Sequence, residues 1–153
     1  MPRLFIIALL LAISLSAAAR PPSLAGKWKL NLEQSELLPG EAKPAELIMN
    51  ITVDDDRGFH WVVTVTMPGG ESGSVSYNGA IDGEPRAVEG RLGSTSAFAW
   101  TPDGALKQVS QSSGGLATET CKISPDVKKM TCEARQTDSQ GRTLTYSEVF
   151  DKL

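Results

Sequence analysis

The chain has one histidine and two cysteines among 153 residues. Neither is spaced to hold a metal: no C-x-x-C pair occurs, and His60 lies far in sequence from Cys121 and Cys132. His60 alternates with Phe59 and Trp61, which points it outward as a surface residue rather than a catalytic one. No Gly-x-Ser-x-Gly turn offers a nucleophile. No catalytic residue, metal ligand or cofactor is therefore assigned. Basic runs are also missing, since none is longer than Lys128-Lys129 and the formal net charge is −3. Nucleic acid and anionic membrane surfaces, which call for a basic patch, are excluded as partners on that ground.

Long apolar runs are absent except at the start. Leu4–Leu15 is apolar apart from Ser14, Arg3 supplies a positive charge before it, and Ala17-Ala18-Ala19 offers small residues for cleavage. Leu4–Ala19 gives 16 residues, short of the roughly 20 that span a bilayer. The pattern predicts a secretory signal peptide over 1–19, a short linker over 20–25 and one domain over 26–153. Cleavage leaves 134 residues, enough for a real core. It also removes Arg3, moving the formal charge to −4. No cysteine follows to carry a lipid, and no later stretch could cross a membrane. The expected location is extracytoplasmic, in a periplasm or secreted.

What remains reads as strands and turns. Turn signals recur every eight to twelve residues: Asp54–Gly58, Pro68–Gly70, Asp82–Pro85, Pro102–Gly104, Ser113–Gly115, Ser124–Asp126 and Asp138–Gly141. Between them apolar residues alternate. Trp28 falls with Leu30 and Leu32, Met49 with Leu47, Ile51 and Val53, and Phe59 with Trp61, Val63, Val65 and Met67. Glu33–Leu38 has room for one short helical turn, followed by an irregular connection at Pro39 and Pro44. Asp54-Asp55-Asp56 reads as a solvated turn rather than a Ca²⁺ site, because it lacks the EF-hand pattern. About eight or nine antiparallel strands in up-and-down order would hide their edges by closing into a barrel.

The cysteines fit that scheme. A four-residue turn with Ser124 facing Lys129 sets Ile123 opposite Met130, Lys122 opposite Thr131 and Cys121 opposite Cys132, close enough for a cross-strand disulfide. An oxidising compartment favours it. Its parity, shared with Ile123, Met130 and Ala134, aims the bridge inward.

Gly26-Lys27-Trp28-Lys29-Leu30-Asn31, with Ser35 and the Pro39–Pro44 connection, resembles the opening of bacterial secreted lipocalin-like domain proteins. Tyr77-Asn78-Gly79 followed by Val88-Glu89-Gly90 is similar to their middle. Thr137–Arg142 with Phe150-Asp151-Lys152 is similar to their close. The likeness runs over Leu24–Leu153. It implies a closed barrel, a small apolar ligand, and Trp28 as the plug of one barrel end. Lys152 stands where lipocalins often carry an arginine over that Trp, and a cysteine pair is not constant in the resembling family.

The candidate barrel lining is Trp28, Met49, Phe59, Trp61, Met67, Tyr77, Phe98, Trp100, Met130 and Tyr146. Tyr77, Tyr146 and Glu148 are its polar anchors. Glu119 and Glu148 share parity with inward residues, which places them near a barrel mouth or on a ligand. An interior of this kind is either packed solid or holds one small ligand. The first case makes the protein an envelope interaction or inhibitor module, acting through faces such as Thr64, Thr66, Ser74 and Ser76. The second makes it a non-enzymatic binder of a small apolar or amphipathic molecule. N-terminal sequencing of exported protein is expected to begin at or near Arg20; a product starting at Met1 would overturn the signal-peptide reading.

Overall fold

The computed structural model describes residues 22–55 and 58–153; the expected signal peptide lies outside them. Ten strands form one closed antiparallel barrel. They are β1 (Gly26–Leu30), β2 (Glu46–Asp55), β3 (Gly58–Thr66), β4 (Ser72–Gly79), β5 (Arg86–Glu89), β6 (Thr95–Trp100), β7 (Leu106–Ser112), β8 (Gly115–Ile123), β9 (Lys129–Thr137) and β10 (Thr143–Lys152). Each pairs with its chain neighbours, and β1 closes the ring on β10. The count exceeds the expected eight or nine. The middle of the chain carries β5, whose four residues are too few to show alternation and present only Val88 as a buried apolar side chain. No helical turn forms over Glu33–Leu38: a turn spans 32–34, and Glu36 then bridges Ser147 on β10.

The expected turns Pro68–Gly70, Asp82–Pro85, Pro102–Gly104, Ser124–Asp126 and Asp138–Gly141 fall between strands, for a local reason. Asp82, Asp126 and Asp138 accept backbone N–H groups two residues on, from Glu84, Lys128 and Gln140. These are Asx turns, in which the side chain substitutes for a ladder partner. The β8–β9 hairpin has the expected register, with Cys121 opposite Cys132 and Ile123 opposite Met130. The disulfide is formed, with Cα atoms 4.0 Å apart.

One end of the barrel is sealed. Trp28 is fully buried; its indole N–H donates to the Leu24 carbonyl at 2.7 Å, and the Lys152 ammonium lies 5.1 Å from its ring centroid. Lysine thus covers the plug through a cation–π contact. Gly26 makes this possible. It sits at φ +127°, and a Cβ there would stand 2.9 Å from the Lys152 side chain as it crosses to the indole. Asn31 closes the next turn by accepting from Glu33 and Gln34 while donating to Asp151 at 2.7 Å. Ser35 accepts the Val149 amide at 2.9 Å. The Gly-x-Trp-x-Leu-Asn opening is therefore one connected device that joins the first strand to the last.

Two expectations need correction at this end. Leu24 is not linker but core, with no exposed surface. The alternation of β2 does not run through to Val53, because a bulge shifts the register between Ile51 and Val53. Val53 then pairs with outward His60, and Asp54 with inward Phe59. The shift turns Asp54 from a solvated turn residue into an acceptor for the Leu24 and Ala25 amides and the Ser23 hydroxyl. Replacing Trp28 with Ala should cost about 3–5 kcal/mol, the range for a large buried aromatic. A urea midpoint unchanged from wild type would show that the plug does not hold this end shut.

Candidate functional site

Above the plug the barrel is hollow. A cavity of about 550 Å³ opens at the end opposite Trp28, where Glu41 of the β1–β2 connection and Arg91 and Leu92 of the β5–β6 turn stand at its mouth. Its walls differ. Strands β2 to β5 present Leu47, Met49, Ile51, Phe59, Trp61, Val63, Val75 and Val88. The facing wall presents Ser96, Gln108, Ser110, Glu119, Gln136, Tyr146 and Glu148. Phe98, Leu106, Met130, Phe150 and the disulfide complete the apolar surround.

The sequence-derived lining divides accordingly. Met49, Phe59, Trp61, Phe98, Met130, Tyr146 and Glu148 border the cavity. Tyr77 is buried behind it, stacked on Trp61 with ring centroids 5.9 Å apart and set edge-on to Phe98 at 4.8 Å. Its ring lies over Gly79, where a Cβ would overlap it. Trp28 is the plug, Trp100 packs from outside the cavity against the core, and Met67 lies just past the end of β3. His60 faces outward.

Glu119 on β8 and Glu148 on β10 meet across β9. The β9 residues in register with them are Ala134 and Cys132, both small enough to let the two carboxyl groups touch. Both side chains are half-buried and border the cavity. Burial, then the neighbouring Glu148 charge and a hydrogen bond to it, push Glu119 up to about 8. Burial also raises Glu148, against the hydrogen bond from Glu119, with Glu41 adding to the rise. Both shifts run upward, so the two hydrogen-bonded carboxyl groups keep a proton to higher pH than a free glutamate does. Burial, with Glu119, Glu148 and Glu41 nearby, raises the Tyr146 hydroxyl, which stays protonated as a donor.

Beside this pair, Gln108 donates to the Ser96 and Ser110 hydroxyls at 3.1 and 2.7 Å. Alternation read from apolar residues alone passes over these polar positions. The available signal was parity with Leu106 on β7 and with Cys121 on β8. The Glu119 carboxylate and the two sulfurs lie within 4.8 Å of one another, but sulfurs joined in a disulfide offer no thiolate to a metal.

The closed barrel with one plugged and one open end defines a lipocalin-like fold. No protein-family model and no curated protein matches the chain. Among solved structures, it is similar to the fluorescent protein UnaG. Against the wild-type crystal structure the TM-score is 0.54 at 16% identity, over 84% of this chain and 96% of that one. Against a point mutant of UnaG the TM-score is 0.56 at 15% identity, over 84% and 95%. Likeness at that identity concerns the fold alone.

Because Glu119 binds a proton in the folded state that it gives up when unfolded, its contribution is full below the ordinary carboxyl pKa. It is lost as pH rises through about 8. The Glu148 charge adds to the rise that burial causes. The urea midpoint should therefore fall between about pH 5 and about pH 8, and Glu119→Gln should flatten that fall. Identical slopes in the two proteins would refute the shared proton.

Proposed function

We propose that the protein is an exported carrier, a non-enzymatic barrel that holds one small apolar or amphipathic molecule in its interior. The cavity of about 550 Å³, open at one end and sealed at the other, carries this reading. Its volume is in the range of small-ligand sites. The space it leaves argues against a solid barrel acting only through its surface. Its two unlike walls suit a molecule that is itself amphipathic. Export draws support from the disulfide, which oxidising surroundings maintain, and from the apolar N-terminal run. Among the described residues no helix is long and apolar enough to cross a membrane.

The carboxyl pair does not fit glycoside hydrolysis. Glycoside hydrolysis needs two acids about 5 Å or more apart, with the scissile bond between them. Glu119 and Glu148 are instead hydrogen-bonded to each other. Native mass spectrometry of protein purified from its own source is expected to show a retained small molecule. The neutral dye Nile red should bind the emptied barrel, and Ala117→Trp, which puts an indole into the cavity, should abolish binding while shifting Tm by less than about 5 °C. A dye that binds the variant as well as wild type would place the site elsewhere.

A further inference from the structure

The polar wall says more about the ligand than its size does. Among the charged groups bordering the cavity, three are acidic, Glu41, Glu119 and Glu148, and one is basic, Arg91 at the mouth. No lysine or arginine reaches the depth of the carboxyl pair among the described residues. A ligand carboxylate placed there would meet the Glu148 charge with no cation to offset it. A second polar group is left waiting: the Ser94 side chain, 7% exposed, borders the same cavity, and its hydroxyl has no hydrogen-bond partner among the described residues. A buried hydroxyl without a partner is costly, and a group brought by a ligand would satisfy it.

We propose that the cavity takes an amphipathic amine, its ammonium group seated at the Glu119–Glu148 carboxyls and its apolar body lying along Met49, Trp61, Val63 and Val75. This rests on the carrier reading above. An ammonium offers up to three donors and a positive charge, which two carboxyl groups accept with charge-assisted hydrogen bonds. On arrival it takes the place of the shared proton, so binding of the ammonium form releases a proton from Glu119 to solvent and leaves both carboxylates facing the cation. The Tyr146 hydroxyl, raised by burial and by the nearby Glu119, stays protonated and does not compete for the cation. Arg91 works against cation entry only at the mouth, where Glu41 stands with it.

The test is calorimetric titration of the intact protein at pH 7 with three ten-carbon probes: decylamine, decanol and decanoate. Decylamine should bind about tenfold or more tightly than decanol, a difference of one charge-assisted contact, and decanoate should bind most weakly. Repeating the amine titration in buffers of different ionisation enthalpy should show net proton release. In the Glu119→Gln, Glu148→Gln double variant the amine should lose its advantage over decanol, and an unchanged far-ultraviolet circular dichroism spectrum reports that the barrel is folded. Decanol or decanoate binding as tightly as the amine, an amine advantage that survives in the double variant, or amine binding without proton release would each overturn the amine assignment and leave the carrier reading standing. Failure of all three probes to bind would instead overturn the carrier reading. Should the double variant not fold, the probe order and the proton count in wild type decide the matter.

Discussion

Closing a sheet on itself removes every free edge, but it leaves a tube with two ends, and this structure depends on making those ends different. The sealed end gathers the fewest and most connected parts. Trp28 fills it, Leu24 sits beneath its indole N–H, and Lys152 covers the ring from the last strand. Asp54 fixes the incoming backbone. None of these acts alone. The bulge in β2 is what brings Asp54 to the inner face, and the missing side chain at Gly26 is what lets Lys152 cross. A packed indole and a cation–π contact tie the first strand to the last, which is the one seam that no hairpin turn closes.

Space left above the plug follows from strand number. A barrel of eight strands is just wide enough to be filled by its own side chains, and diameter grows with each strand added. Ten strands therefore enclose a hollow unless the inward side chains are uniformly large. Along β2 and β3 they are large or branched, and the four rings of Phe59, Trp61, Tyr77 and Phe98 pack together. Along β6 to β10 the large Phe98, Leu106, Met130 and Phe150 are interspersed with the smaller or polar Ser96, Gln108, Ser110, Ala117, Glu119, Gln136 and Glu148. Polar side chains facing inward cost free energy unless they are paired or solvated. The Ser96, Gln108 and Ser110 set is paired within itself, and the two glutamates relieve each other by holding a proton. The wall is thus stable as it stands, yet it keeps acceptors directed at the hollow.

How much of this was legible in the chain depended on whether a position obeyed alternation. The strand pattern, the turns and the cysteine register were readable because hairpins with defined turns fix pairing, and pairing fixes parity. β5 was not, since four residues carry no period. Val53 and Asp54 were misplaced because a bulge changes parity without leaving a composition signal. The apolar half of the cavity could be read from Met49, Phe59, Trp61 and Phe98, whereas Tyr77 and Trp28 show the limit: parity says inward, but only packing decides between lining a hollow and filling it. The polar half was half-visible. Glu119 and Glu148 stood out by sharing parity with buried neighbours, yet their meeting across β9 needed the topology, and it needed Ala134 and Cys132 to be small.

That three-strand arrangement ties stability to the site. The disulfide joins β8 to β9 beside the carboxyl pair, so the strand carrying Glu119 is held to the strand that separates it from Glu148. A bridge there constrains the unfolded chain, and in the folded barrel it holds the spacing on which the shared proton depends. Among the described residues the hollow opens at the end opposite the plug. The strands are hydrogen-bonded around the full ring, and the β1–β2 connection and the β5–β6 turn bring Glu41, Arg91 and Leu92 to the opening. Leu92 is fully exposed there, an apolar side chain at the lip of a cavity whose far wall is apolar. The mouth thus carries both signs of charge and one exposed apolar side chain.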